Sequence, residues 1–292
     1  MEQREVNMKK VGLVLEGGAM RGMYTAGVID ILMENNINID GIIGTSAGAL
    51  FGVNYFSKQK GRVIRYSKRF CKDIRYISLL SYLLTGNVVN KNFAYYKVTK
   101  KYDIFDNDTF KESNKDYYVT MTNVETGKSE YKKISDPVKE MEYLRASSAM
   151  PLVTKLVKIN NKKYLDGAIT DSIPVDKMKS LGYDKIIVLL TQPLDYRKEE
   201  LNEKQLKRIN KKYKKYPKLI KSMINRPKKY NETLEKIKTL ENNKEIYVIR
   251  PSEKLNINVI ERNKNKLEEI YNIGQEDTKN IINDLKKYIN KK

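Results

Sequence analysis

Residues 44–48 read Gly-Thr-Ser-Ala-Gly, a pattern that can hold a nucleophilic serine, here Ser46, on a tight turn between a strand and a helix. A serine hydroxyl attacks an ester only when a neighbouring group accepts its proton, and in the familiar triads that group is histidine. The chain of 292 residues contains no histidine. Either Ser46 is only a helix N-cap, or its base is another residue, for which a carboxylate is the most suitable group.

A second small-residue turn comes earlier in the chain, where residues 16–22 read Glu-Gly-Gly-Ala-Met-Arg-Gly. The backbone amides of such a turn can bind an anion, either a nucleotide phosphate or the oxyanion of an acyl-transfer intermediate. The residues lack both the Gly-x-Gly-x-x-Gly spacing and the Gly-Lys-Ser/Thr of a P-loop, which argues against a nucleotide. An oxyanion hole fits better, because the serine turn lies on the next strand and the sheet brings the two turns together.

The candidate base is Asp166, which begins an Asp-Gly-Ala sequence. An isolated Asp-Gly pair usually marks a turn, and it is the missing histidine that gives this one its weight. An aspartate with an ordinary pKa of about 3.9 is a weak base towards a serine hydroxyl in water. In a desolvated site its basicity rises, and a direct hydrogen bond would let Asp166 accept the proton of Ser46 during attack.

The hydrophobic pattern predicts elements that can position these turns. Residues 11–15 and 39–43 are short apolar runs, typical of buried parallel strands, and each leads into one of the two turns. Apolar residues at helical spacing follow each run, so the chain opens as β-α-β-α. This order predicts an α/β fold whose mostly parallel sheet is covered on both faces.

Later patterns predict the remaining elements, with a turn or loop signal between them. We expect strands at 117–123 and 128–134, a helix from Pro137 to about Ser147, a hairpin through Asn160-Asn161, strands at 185–191 and 245–249, and a pair of amphipathic helices within 263–289. This division gives a catalytic core at 1–195, a basic helical insertion at 196–243, and a last strand with C-terminal helices at 244–292.

Together the three motifs resemble the patatin-like phospholipase family. That family joins a glycine-rich oxyanion loop, a Gly-x-Ser-x-Gly elbow and an Asp-Gly-Gly/Ala motif into a Ser-Asp dyad without histidine. All three occur here in the family's order, within about residues 11–173. Residues 145–151, Arg-Ala-Ser-Ser-Ala-Met-Pro, look like the family's small-residue segment, and residues 247–252 with the following helices look like the tail of bacterial members.

The resemblance implies a three-layer α/β/α patatin-like fold with a mostly parallel central sheet and a C-terminal helical extension. It makes Ser46 the nucleophile and Asp166 its general base. Backbone amides implied for the oxyanion hole are those of Gly17, Gly18, Ala19 and Ala47. Residues implied to support the site are Arg21, Gly22, Gly44, Gly48 and Gly167, with Arg21 holding the loop or contacting an anionic head group.

Two residues depart from the family's pattern, and two more carry hydroxyls close to the motifs. Glu16 stands where many members have Asp, and Ala19 stands where many have a third glycine, although a Cβ disfavours positive φ. No elbow surrounds Ser147 and Ser148, so we interpret both as packing residues.

The function implied is a serine acyl hydrolase of the phospholipase A or lipid esterase type, acting through an acyl-enzyme without a cofactor or metal. Transfer of the acyl group to another alcohol is a close variant, and a non-catalytic lipid-binding or signalling module on the same fold is an alternative. A nucleic-acid binder ranks last, because the positive charge is diffuse and no nucleic-acid motif accompanies it.

The composition indicates the partners and the compartment. The formal charge of +21 favours anionic partners such as a phospholipid surface, although biased use of Lys, Asn and Ile throughout the chain could equally explain the excess. The basic segment 195–230 holds 14 Lys and Arg against four Asp and Glu. Cys71 is the only cysteine, which permits a reducing compartment. We expect a cytoplasmic protein that can contact the inner membrane face.

Overall fold

The computed structural model describes residues 9–291. Its strands are β1 (Val11–Leu15), β2 (Gly41–Thr45), β3 (Asp116–Asn123), β4 (Ser129–Lys133), β5 (Val157–Ile159), β6 (Lys162–Asp166), β7 (Lys185–Leu189) and β8 (Ile246–Ile249). Its α-helices are α1 (Gly22–Glu34), α2 (Ala47–Phe56), α3 (Arg62–Phe70), α4 (Leu79–Thr85), α5 (Asn107–Glu112), α6 (Met141–Ser147), α7 (Val175–Ser180), α8 (Glu203–Tyr213), α9 (Pro217–Asn242) and α10 (Lys264–Asn290). A π-helix covers Lys91–Tyr102, and 3₁₀ turns cover Ala19–Arg21 and Gly167–Ile169.

The strands form one mixed sheet in the order β5-β6-β3-β2-β1-β7-β8, with β4 also paired to β3. The five strands from β3 to β8 are parallel, and the pairs made by β4, β5 and β6 are antiparallel. Leu13 and Leu15 face a core shared with α1, α2 and α10, whereas Val14 and Ile43 face a core shared with α7 and α9. The predicted α/β fold, with helices on both faces of a mostly parallel sheet, is therefore confirmed.

Strands β2 and β6 lie end to end along the same edge of β3, because β4 occupies the opposite edge. Thr45, the last residue of β2, pairs with Thr120. Asp166, the last residue of β6, pairs with the next residue of β3, Met121. Since Ser46 directly follows Thr45, the two strand ends bring Ser46 and Asp166 together.

The hairpin predicted at Asn160-Asn161 is confirmed, and it delivers β6 to the sheet. Asn160 and Asn161 have φ values of 46° and 62°, the left-handed conformations that a two-residue hairpin turn requires and that asparagine tolerates. The predicted pair β3–β4 is also present, in antiparallel register.

The helix predicted from Pro137 begins only at Met141. The carboxylate of Glu140 turns back and accepts the backbone N–H of Ser135 at 2.7 Å, so the residues before the helix form a closed turn instead of its first turn. The prediction of this helix start was wrong, while its end at Ser147 was right.

The pair of helices predicted within 263–289 is one continuous helix, α10. It lies along α1, where glycines allow the two backbones to touch: a Cβ on Gly274 would collide with the carbonyl oxygen of Tyr24. Tyr271 of α10 also donates a hydrogen bond to the buried Asp30 of α1 at 2.6 Å. Packing against α1 thus explains why a mid-helix glycine, normally unfavourable, does not divide α10.

Helices α8 and α9 carry the basic segment, and their apolar residues pack inwards. Ile209 and Tyr213 of α8 lie in the core beside β5 and β6, as do Leu219 and Met223 of α9. The end of α9 packs against β7 and β8 through Leu234 and its neighbours. The lysines and arginines of α8 consequently face outwards.

Candidate active site

Ser46 occupies a strained turn at the end of β2 and immediately before α2. Its φ and ψ are 56° and −121°, outside the regions that a residue with a side chain normally adopts. The turn needs small neighbours, because a Cβ on Gly44 would lie 2.7 Å from the backbone of Ala49. Such a conformation matches the elbow predicted from the sequence, in which the serine hydroxyl projects away from the sheet.

The hydroxyl of Ser46 donates a hydrogen bond to Oδ2 of Asp166 at 2.7 Å. Both side chains are buried, and the other carboxylate oxygen of Asp166 accepts the backbone N–H of Ala168 at 2.8 Å. Ser46 therefore already has an anionic acceptor for its proton within hydrogen-bond reach, as a direct serine–carboxylate mechanism requires.

The main chain of Asp166 is held at both of its polar groups. Its N–H donates to the carbonyl of Ala149 at 3.0 Å, and its carbonyl accepts the hydroxyl of Thr122 at 2.8 Å. Burial raises the pKa of the Asp166 carboxyl, while the hydrogen bonds from Ala168 and Ser46 and the charge of Arg226 oppose that rise. The environment thus makes Asp166 a stronger base than an aspartate in water.

Ser147 has a role that the sequence interpretation missed. Its fully buried hydroxyl accepts the backbone N–H of Ser46 at 3.0 Å, so it supports the strained elbow directly. Its neighbour Ser148 contacts the hydroxyl of Tyr95 at 2.9 Å. The interpretation of Ser147 as a packing residue was therefore wrong. The signal was available, because the segment 145–151 already stood out as small residues ahead of the Asp motif.

The glycine-rich loop runs beside the elbow and keeps its backbone amides close to Ser46. Ala19 adopts a φ of 48°, so its Cβ does not prevent the left-handed conformation. Among residues 9–291, the N–H groups of Gly18 and Ala19 have no acceptor, whereas that of Gly17 donates to the carbonyl of Ser172 at 3.4 Å. Gly17 is thus already engaged, and Gly18 and Ala19 remain available with Ala47, the first residue of α2.

Glu16, at the start of the glycine-rich loop, anchors the loop through its buried carboxylate. One carboxylate oxygen accepts the N–H of Thr191 at 2.6 Å and its hydroxyl at 3.1 Å, and the other accepts the hydroxyl of Tyr230 at 2.6 Å. Glu16 is only 1% exposed. Arg21 reaches the same threonine, with Nε 3.5 Å from its hydroxyl. A residue noted only as a departure from the family's pattern therefore ties the loop to α9.

One cation of the basic segment, Arg226, acts on the dyad, which the sequence did not reveal. The charge of Arg226, on α9, acts on Asp166, and the buried Nε of Arg226 has no hydrogen-bond partner in the described chain. Burial, followed by the charges of Arg226 and Arg21, lowers the pKa of Lys198 to about 8. Arg226 is therefore a positive charge that acts on both Asp166 and Lys198.

The glycines predicted for the oxyanion hole and those predicted to support the site all lie where the chain is crowded. A Cβ added to any one of them would come within 3.0 Å of a neighbouring atom, at Gly17, Gly18, Gly22, Gly44, Gly48 and Gly167. At Gly167 the obstacle is the carbonyl of Thr120, the β3 residue paired with the end of β2. These glycines therefore set the distances between the three motifs.

An apolar pocket opens from Ser46 between α2, the π-helix and α6. The volume of this cavity is about 140 Å³. Its lining includes Ala19 and Ala47, and the larger apolar side chains in it include Phe51, Val98, Met141 and Leu144. A hydrocarbon chain lying in this pocket would have its terminal carbonyl at Ser46.

Within residues 9–291, no group of three or more acidic, cysteine or histidine side chains is arranged to hold a metal ion. In the same range, no helix has the length and apolar character needed to cross a bilayer.

Comparison with family models decides the relationship of this chain. The model described as Patatin-like phospholipase matches residues 13–179, more than half of the sequence, and includes all three motifs. The chain belongs to the patatin-like phospholipase family. A second model, a domain of unknown function named DUF6363, matches residues 216–290, which hold all of α9 together with β8 and α10.

Two relatives of this patatin-like chain show how much of it is shared. It is 28% identical over 190 residues to YjjU, an uncharacterized protein of Escherichia coli K12, which covers 63% of this chain and 52% of YjjU. It is 32% identical over 198 residues to Lysophospholipase NTE1 of Phaeosphaeria nodorum, which covers 64% of this chain and 12% of NTE1. The match thus spans about half of one relative and about an eighth of the other.

Among solved structures, VipD from Legionella pneumophila aligns with a TM-score of 0.49 and 14% identity, covering 94% of this chain and 67% of that one.

Proposed function

We propose that this patatin-like protein is a serine acyl hydrolase that cleaves carboxylic esters of lipids. The observation that carries the proposal is the 2.7 Å hydrogen bond from Ser46 to Asp166, with Ser46 also lining an apolar pocket. Membership of the patatin-like phospholipase family and the relatives named lysophospholipase support a lipid ester as the substrate.

In the first half-reaction, Ser46 Oγ attacks the ester carbonyl while Asp166 Oδ2 accepts the hydroxyl proton. The negative charge that develops on the carbonyl oxygen is stabilised by the N–H groups of Gly18, Ala19 and Ala47, which the elbow and the glycine loop hold in place. The tetrahedral intermediate collapses, Asp166 returns the proton to the leaving alcohol, and an acyl-enzyme remains on Ser46.

In the second half-reaction, water attacks the acyl-enzyme. Asp166 accepts a proton from this water and then returns it to Ser46 Oγ as the fatty acid leaves. The apolar pocket holds the acyl chain through both steps, so that the same carbonyl stays beside the same amides. No step requires a metal or an organic cofactor.

Labelling with a fluorophosphonate tests whether Ser46 is an activated nucleophile. We expect the folded wild-type protein to form a covalent adduct that peptide mass spectrometry places on Ser46, because within residues 9–291 Ser46 is the only serine whose hydroxyl is hydrogen-bonded to a buried carboxylate. Ser147 and Ser148 lie within the same site and serve as internal controls that should stay unmodified. Failure to label Ser46 in the folded protein would favour a lipid-binding module without turnover.

The pH dependence tests the role of Asp166 as the base. Only the ionised carboxylate can accept the proton, and burial raises the pKa of Asp166 above its ordinary value of 3.8. We therefore expect kcat/KM for a fatty-acid ester to fall on acidification through a pKa above 3.8. Arg226→Ala should move this limb to higher pH, because the charge of Arg226 lowers the pKa of Asp166. An acid limb at or below 3.8, unmoved in the variant, would contradict the assignment.

A further inference from the structure

Helix α4 presents its apolar residues to solvent and its polar residues to the protein. Ser81 is buried and donates to the carbonyl of Asn87 at 2.9 Å, while Thr85 donates to the carbonyl of Ser81 at 2.7 Å. The four leucines of this helix, Leu79, Leu80, Leu83 and Leu84, are 46–76% exposed. We call them the leucine face. A contiguous apolar surface of this kind usually marks an interaction site.

The leucine face is rooted on the wall of the apolar pocket. Helix α4 lies within the segment between Ile77 and Val89, and these two residues form an isolated antiparallel bridge at the base of that segment. Both line the pocket that begins at Ser46, and so do the exposed residues Val259 and Ile260. The leucine face is therefore carried by a segment whose two ends line the pocket, and Val259 and Ile260 add exposed apolar surface to the same pocket.

The basic helix α8 lies beside α4, and the two meet at Leu152. The carbonyl of Leu152 accepts hydrogen bonds from Tyr82 of α4 and from Lys212 of α8, and its N–H donates to Tyr213. Lys212 also stands over the ring of Tyr82, at 6.0 Å from its centroid. From 203 to 215 the chain has seven Lys and Arg, all exposed, against one Glu.

We propose that the leucine face and the exposed lysines of α8 dock the protein onto an anionic phospholipid bilayer, with the apolar pocket opening towards the lipid. Aliphatic side chains enter the boundary between head groups and acyl chains, while lysines beside them attract acidic head groups. Binding to the bilayer does not require catalysis. Its purpose rests on the proposed function, because docking would let an acyl chain pass from the bilayer to Ser46 along an apolar path. The combination of exposed leucines with exposed lysines beside them matches a bilayer, whose acyl chains lie next to anionic head groups.

Vesicle co-sedimentation tests the docking separately from catalysis. The vesicles contain equal parts phosphatidylglycerol and phosphatidylcholine, and all proteins carry Ser46→Ala so that no lipid is hydrolysed. We expect Leu79→Ser, Leu83→Ser and Leu84→Ser together to lower the partition coefficient about 10-fold or more. Leu194→Ser with Ile224→Ser is the matched control, because these residues are also exposed but lie on other elements, and it should change binding less than about two-fold.

A second variant tests the contribution of the exposed lysines to vesicle binding. Lys207→Gln, Lys211→Gln and Lys215→Gln together should lower binding to the mixed vesicles about 10-fold and leave the weaker binding to pure phosphatidylcholine unchanged. Lys238→Gln with Lys279→Gln removes exposed lysines from other helices and should have a smaller effect.

Unchanged vesicle binding by the triple-serine variant would overturn the proposal. So would a wild-type dimer that this variant converts to a monomer, since the leucine face would then join two copies of the chain. The hydrolase function and the membrane docking are tested separately by hydrolysis of soluble p-nitrophenyl butyrate, measured in proteins that retain Ser46. If wild type cleaves no ester but binds vesicles through its leucines, the proposed function fails and the docking stands.

Discussion

Ser46→Ala and Asp166→Asn are each expected to lower kcat for a fatty-acid ester by about 10³-fold or more. Alanine removes the atom that forms the acyl-enzyme. Asparagine keeps the size of the side chain but replaces the carboxylate, which lies 2.7 Å from Ser46 Oγ, by an amide that cannot take up the proton. Because the two residues act in one step, the double variant should be little slower than either single variant. Turnover of a soluble ester and of vesicle phospholipid, under saturating substrate, measures all three.

Asp171→Asn is the matched control for this experiment. Asp171 lies in the same loop, and burial raises the pKa of its carboxyl too, but its partner is the hydroxyl of Tyr131 at 2.6 Å instead of Ser46. It should retain most of the activity. Full activity in both Ser46→Ala and Asp166→Asn would refute the dyad.

Asp166→Asn should also increase the thermal stability of the protein at neutral pH. Since the folded-state pKa of Asp166 is raised, ionising this carboxyl costs folding free energy at every pH above its unfolded value. Asparagine avoids that cost, so Asp166→Asn should melt above wild type at pH 7, with the difference shrinking as the pH falls towards 4. A loss of activity together with a gain in stability would identify a functional residue, because an ordinary packing residue would lose both.

The second large effect is expected at Glu16. Glu16→Ala leaves the N–H and hydroxyl of Thr191 and the hydroxyl of Tyr230 without their buried acceptor. We expect a loss of about 3 kcal/mol in the free energy of unfolding, measured by urea denaturation. We also expect kcat to fall about 10-fold, because the loop that presents the amides of Gly18 and Ala19 loses its anchor.

Two variants make the Glu16 result interpretable. Glu16→Gln keeps the side-chain length and one acceptor oxygen, so it should fall between wild type and alanine in both measurements. Glu253→Ala removes an exposed glutamate and should change neither. If Glu16→Ala unfolds at the urea concentration of wild type, the carboxylate does not anchor the loop.

Local patterns were enough to predict much of the architecture. The runs at 11–15 and 185–191 are short and apolar because a parallel strand is buried on both faces, and Asn160-Asn161 predicts a hairpin because asparagine tolerates positive φ. Helix ends were less predictable. The start of α6 depends on how Glu140 folds back on Ser135, and the continuity of α10 depends on its packing against α1.

The sequence by itself determined the chemistry that this protein can offer. A serine elbow, a small-residue loop and an aspartate in a chain without histidine predict a two-residue site, because a carboxylate is the most suitable base when histidine is absent. The tertiary structure alone decided how that site is held. Ser147, Tyr230 and Arg226 come from elements distant in the sequence, and no local pattern encodes a contact between them and the dyad. Likewise, the exposure of the α4 leucines follows from which face of that helix packs against the protein, and a short apolar run does not specify that face.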